Sequence, residues 1–167
     1  WKSEKFGGDP WRLGDTYNTS IGQYGFQVTP LQVARAIAAI ANGGRLPILA
    51  LVLDEDAAPV FDTLPFGGGE LQVVKEGLRE GVLSGTVQAL NIPDVSVAAK
   101  TGTAQVGTKK LFVNSWVAGF FPFESPRFAF AVVMERGPQA NLIGAPFVVK
   151  RFLEWMATEA PEYLAPK

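Results

Sequence analysis

An α+β fold, an antiparallel sheet with helices on its faces, is predicted by three features of the sequence. Strand-like apolar runs in the second half of the chain are joined by short polar links. Helical periods with recognisable caps precede and follow them. Hydrophobic residues make up 47% and charged residues 19%, so the chain can build a core rather than remain unfolded. A length of 167 residues suits a single domain.

Trp1 to Asp15 is rich in Gly, Pro, Trp and charge and reads as a loop. Gly14 to Gln23 carries turn residues at both ends and no clean period. Thr29 then offers an N-cap and Pro30 a first helical residue. Leu31, Ala34, Ala38 and Ala41 make one face of that helix, Val33, Ile37 and Ile40 lie beside it, and Asn42-Gly43-Gly44 ends it. Ile48 to Leu53 reads as a short strand, and Asp54 to Gly69 as an acidic, then Pro- and Gly-rich, surface loop. Leu71, Val74, Leu78 and Val82 predict a helix over Glu70 to Ser84 that Gly85 stops, with Gly77 and Gly81 marking close packing.

Three strands follow: one carrying Lys100 and running to Val106, one over Val113 to Phe121, and one over Phe128 to Glu135. Their links, Gly107 to Lys110 and Glu124 to Arg127, are too short for a crossover, so neighbours are antiparallel. Phe128, Phe130, Val132 and Met134 face one way and Ala129, Ala131 and Val133 the other, the pattern of a strand covered on both sides. A final helix starts near Ala145-Pro146 and buries Val148, Val149, Phe152 and Trp155-Met156.

Composition narrows the chemistry. There is no cysteine and no histidine, which excludes disulfides, thiolate or histidine metal sites, and Ser-His or Cys-His catalytic pairs. A net charge of -1 without a basic block leaves no electrostatic footprint for nucleic acid. Asp54-Glu55-Asp56 reads as a solvated loop rather than a cation site, and neither a metal nor a cofactor is called for. Gly67-Gly68-Gly69 reads as a turn rather than a phosphate cradle, and nothing in the spacing of Glu124 and Glu135 demands an acid pair. Trp1, Trp11 and Trp116 are candidates for a groove, though aromatics in so apolar a chain more often pack.

The stretch Lys100-Thr101-Gly102-Thr103-Ala104-Gln105 carries the clearest chemistry. An ammonium at Lys100 attracts a carboxylate, and the hydroxyls of Thr101 and Thr103 share one side of the strand. Gly102 between them lets a substrate backbone lie close, and an edge strand here can pair with an extended peptide. Taken alone, the tripeptide is more often an ordinary strand end with a solvated lysine. No serine in the chain is followed by lysine at the third position, so no Ser-x-x-Lys nucleophile motif is present.

The surroundings of this motif carry a resemblance. In order along the chain stand Gly14-Asp15-Thr16…Ser20-Ile21-Gly22-Gln23, Val28-Thr29-Pro30-Leu31-Gln32-Val33-Ala34 through Asn42-Gly43-Gly44, Gly81-Val82…Gly85-Thr86, Lys100 to Gln105, and Trp116 to Pro122. These segments resemble the C-terminal half of the transpeptidase domain of class B penicillin-binding proteins, the elongation-type penicillin-binding protein 2 above all. Ala99 departs from the glycine common before the lysine, and Gln23-Tyr24-Gly25 from the usual Gln-Gly-aromatic order.

The resemblance implies that residues 1–167 are the C-terminal part of a single domain of the penicillin-binding/serine β-lactamase fold, with the nucleophile-bearing part absent. It implies that Lys100 helps position a substrate carboxylate and supports the proton network of the serine. Thr101 and Thr103 would bind the carboxylate and backbone, with Gly102 between them, and the Thr103 N–H would serve as an oxyanion donor. It implies a parent D,D-transpeptidase acting on the D-Ala-D-Ala end of peptidoglycan stem peptides and acylated by β-lactams. That parent would be anchored at the outer face of the bacterial inner membrane and would work beside an elongation-machinery glycosyltransferase. The chain has no initiator methionine, its two methionines being Met134 and Met156, and reads as a piece of a longer protein. Alone it should be inactive. The strand Phe128 to Glu135 should pair with a further polypeptide, either the N-terminal half of the domain or a second copy. A non-enzymatic peptide-binding module and a β-lactamase or β-lactam sensor are the alternatives.

Overall fold

A computed structural model describes residues 2–23, 25, 27–50, 52, 58–107, 111–140 and 143–164. The segment read as an N-terminal loop holds two helices, α1 (Lys2–Lys5) and α2 (Leu13–Ser20). Their anchor is electrostatic: the Lys2 ammonium is buried and lies 2.6 Å from Asp15 and 2.9 Å from Asp9. The Asp15 carboxylate also accepts the Arg12 backbone N–H at 2.7 Å and so caps α2.

Helix α3 (Pro30–Ala41) starts as expected. Thr29 Oγ1 accepts the Gln32 backbone N–H, and Gln32 Oε1 accepts the Thr29 N–H, a reciprocal box ahead of Pro30. The strand expected over Ile48 to Leu53 is displaced: β1 is Arg45–Pro47, residues 48–50 form no strand, and Leu51 and Leu53 lie outside the described residues. Strand β1 pairs antiparallel with β2 (Phe61–Thr63), inside the expected loop, where the Arg45 guanidinium sits 4.0 Å over the Phe61 ring. Residues 54–57 of that loop are outside the described part.

Helix α4 (Gly68–Leu83) leads through a short 3₁₀ turn, Gln88–Leu90, into the main sheet of β3 (Ala98–Val106), β4 (Phe112–Phe121) and β5 (Phe128–Pro138). The order is β3-β4-β5, antiparallel throughout. The C-terminal helix α5 (Ala145–Glu159) is seated by Ser115, whose Oγ accepts the Ala145 N–H at 3.0 Å. It buries Ala145, Val149, Leu153 and Met156, whereas Val148, Phe152 and Trp155, expected in the same stripe, fall on its exposed side.

Strand alternation sorts the core. Ala99, Val117 and Phe121 point to the side of α5, where they join Val82, Val87, Leu90, Val149 and Leu153; Phe128, Phe130, Val132 and Met134 pack against the same cluster. The opposite side, with Trp116 and Ala118, faces α3, which packs on β4 and β5. Gly81 lets α4 approach β3, since a Cβ there would stand 3.0 Å from the Ala99 carbonyl oxygen; Gly77 has no such neighbour, so that part of the packing expectation fails. The sidedness expected of Phe128 to Glu135 holds. The strand nonetheless lies at an edge of the described sheet, its residues half-buried up to Met134 and exposed at Glu135.

Candidate active site

The outer edge of β3 is the candidate site. In an antiparallel ladder alternate residues turn both N–H and C=O toward the partner strand. The Ala98 carbonyl faces β4 at Gly119, whereas the Ala99 carbonyl faces α4 at Gly81. By the same alternation the backbone of Thr101 and Thr103 points outward, away from β4. The outward carbonyls carry partners from this chain: Lys100 Nζ donates to Thr101 O at 2.8 Å, and Gln23 Nε2 donates to Thr103 O at 3.2 Å.

Side chains divide across the two faces of this edge. Thr101 and Thr103 project toward a groove of about 970 Å³ bounded by Thr86, Ser115, Met134 and the start of α5. Lys100 projects toward a second groove of about 720 Å³ with Trp116, Glu135 and Thr29. Gln23, Thr101, Gly102 and Thr103 line both, so the grooves meet at the strand edge. The Thr86 and Thr101 hydroxyls are 2.8 Å apart. Among the described residues Lys100 forms no ion pair, and its ammonium is exposed to an incoming anion.

All four residues singled out from the sequence, Lys100 to Thr103, thus fall on one strand edge. Trp116, expected to pack, lines the Lys100 groove. Trp11 is exposed and bonds Thr16, and Trp1 lies outside the described residues. Glu124 and Glu135 are not brought together: Glu124 accepts the Ser96 hydroxyl in the β4–β5 turn, whereas Glu135 lies near the far end of β5. That hydroxyl, with a backbone N–H, holds the Glu124 carboxyl below the usual carboxylate range. Gln23 and Thr86 stand out in the sequence only as members of longer segments. Their contacts to β3 span 80 and 15 residues and carry no local signal. Among the described residues no group of three or more acidic side chains is arranged to hold a metal.

Such an edge can extend an incoming peptide as a further strand. An ammonium and two hydroxyls can hold a carboxylate there, with a backbone N–H beside them. The family profile described as "Penicillin binding protein transpeptidase domain" matches residues 2–154. The chain is 29% identical to the peptidoglycan D,D-transpeptidase MrdA of Acinetobacter baumannii over 178 residues, 93% of this chain and 26% of that protein. Among solved structures it is similar to Pseudomonas aeruginosa PBP2 in complex with WCK 5153, with TM-score 0.75 and 29% identity over 99% of this chain and 40% of the other. It is also similar to penicillin-binding protein A of M. tuberculosis in its imipenem acyl-enzyme complex, with TM-score 0.67 and 29% identity over 83% and 33%. The chain belongs to the penicillin-binding protein transpeptidase domain family, in its PBP2/MrdA-type class B branch. It spans between 26% and 30% of the length of the curated relatives it matches.

Proposed function

We propose that this chain is the C-terminal part of a peptidoglycan D,D-transpeptidase domain and supplies the wall of its substrate groove. The observation that carries this reading is the outward-facing edge of β3, with Lys100 on one side and Thr101 and Thr103 on the other. A stem peptide lies along that edge as an added strand. Thr101 and Thr103 hold its terminal carboxylate, Lys100 adds positive charge, and the Thr103 N–H supports the oxyanion. The serine comes from an N-terminal half outside this chain. Its oxygen bonds the carbonyl carbon of the D-Ala-D-Ala peptide bond, the C–N bond breaks, and D-Ala leaves with a proton. An amine of a second stem peptide then takes the acyl group and frees the serine. β-Lactams open on the same serine.

The N-terminal half is also the partner for the free edge of β5. The parent works at the periplasmic face of the inner membrane, held by an anchor outside this chain, with an elongation-machinery glycosyltransferase beside it. Among the described residues no helix is long and apolar enough to cross a membrane.

Mass spectrometry after incubation with a penicillin tests this function. The chain alone should gain no adduct, because it holds no Ser-x-x-Lys. Joined to the upstream segment of its gene it should gain one. In the joined protein Lys100→Ala should slow acylation on the order of 10- to 100-fold, the loss of one hydrogen bond to a charged group, about 1.5–3 kcal/mol. A stable adduct on the chain alone, or acylation unchanged by Lys100→Ala, would overturn these roles.

A further inference from the structure

We propose that Thr86 is a positioning residue that sets the polarity of the Thr101 hydroxyl and so prepares it to donate to the substrate carboxylate. This deepens the transpeptidase reading and rests on it. The Thr86 and Thr101 oxygens stand 2.8 Å apart on the wall of the larger groove. A hydroxyl has one proton to give. When Thr86 donates its proton to Thr101, the Thr101 proton is left to point elsewhere, and the open groove is where an anion arrives. The reverse polarity would turn a lone pair of Thr101 toward the carboxylate and repel it.

The local fold holds Thr86 for this task. Helix α4 ends with the Ser84 N–H on Glu80 O at 2.9 Å, and the chain then turns so tightly that the Val87 N–H bonds Gly81 O at 3.0 Å. Gly85 permits the turn, since a Cβ there would meet the Gly81 Cα at 2.8 Å. Val87 and Leu90 are fully buried just beyond, so the backbone that carries Thr86 is anchored while its side chain stays exposed. A hydrogen bond between two neutral hydroxyls in contact with water adds little to folding. A readout of recognition, not of stability, is therefore the one that tests it.

The test uses the full-length protein and measures the second-order rate of acylation by a penicillin bearing a free carboxylate and by its methyl ester. Thr86→Val keeps the shape and removes the hydroxyl; Thr86→Ser restores it. Thr86→Val should slow acylation by the free acid about two- to threefold, because the Thr101 hydroxyl can still donate and only its orientation and polarisation by Thr86 are lost. It should leave the slower reaction of the ester unchanged, and Thr86→Ser should react like the unaltered protein. Equal losses with acid and ester would show a merely structural role and overturn the proposal, as would full activity of Thr86→Val. Absence of acylation in the unaltered protein would overturn the transpeptidase reading itself, and this inference with it.

Discussion

Gly119 offers a perturbation whose cost can be worked from the geometry. It lies on β4 opposite Ala99, one position from the partner of Lys100. A Cβ added there would stand 2.3 Å from the Ala98 carbonyl oxygen, 2.6 Å from the Ala99 Cβ and 2.9 Å from the Ala99 Cα. These atoms belong to, or sit directly on, the backbone of the paired strand, so no flexible side chain can give way. Relieving the closest contact requires β3 to move about 1 Å from β4, enough to carry a neighbouring ladder bond beyond hydrogen-bonding distance. Overpacking of this kind costs about 1–3 kcal/mol, and each weakened ladder bond about 1 kcal/mol more. Gly119→Ala should therefore destabilise the chain by about 3 kcal/mol. For a chain of this length that lowers Tm by about 6–12 °C. Gly102→Ala is the control. Its Cβ would meet only the Trp116 Cβ, at 3.4 Å, an ordinary contact, so Tm should move by no more than about 2 °C. In the full-length protein Gly102→Ala should still impair acylation, because the new methyl projects into the groove beside Lys100. Thermal unfolding followed by circular dichroism measures both. A Gly119→Ala protein melting within about 2 °C of the unaltered chain would refute the reasoning, since β3 would then not be held against β4 as described.

The Lys2 ammonium has a pKa raised above 10.5, chiefly by its hydrogen bond to Asp15, with Asp9 adding to it. Its stabilisation is therefore complete below the unfolded value and is lost as pH rises through the higher folded value. Tryptophan fluorescence followed from about pH 9 to about pH 12 should report loosening of the α1–α2 segment, and Lys2→Met should remove the transition; an identical profile in the variant would discount the ion pair. Hydrogen exchange addresses the free edge of β5. Outward amides between Phe128 and Met134 should exchange faster than those of β4 in the chain alone and become protected once the upstream segment is joined; protection already complete in an isolated monomer would refute the predicted partner.

The elements legible in the sequence were those whose determinants are local. Thr29-Pro30 and Asn42-Gly43 bracket α3 by capping chemistry, and the four residues Lys100 to Thr103 sit on a strand whose period of two assigns each side chain to a face. Helix α2 escaped because its residues are exposed or half-buried and leave no apolar stripe; Asp15, reaching to Lys2 and the Arg12 N–H, anchors it instead. The displaced strand β1 depends on distant partners. Arg45 lies over Phe61, Arg35 Nε donates to Pro47 O at 2.7 Å, and neither contact is written into Ile48 to Leu53. The same division runs through the site. The strand could be read from a single segment, whereas the residues hydrogen-bonded to it, Thr86 and Gln23, arrive from the turn after α4 and the loop after α2.

Strand β5 marks where apolar alternation stops being informative. Phe128, Phe130, Val132 and Met134 pack on the α5 side, while α3 packs over β4 and β5 from the other. Helices of this same chain thus account for the apolar character of both faces. Nothing in that pattern requires a second strand beside it, nor does it forbid one. Faces are written in side chains, but an edge is made of backbone N–H and C=O groups that every residue except proline carries alike. The case for a partner on β5 therefore rests on the run from Phe128 to Met134, which has neither a charge nor a proline to guard an edge. A charge or a proline is a common guard of a strand that stays open to water, and its absence here is what favours a partner.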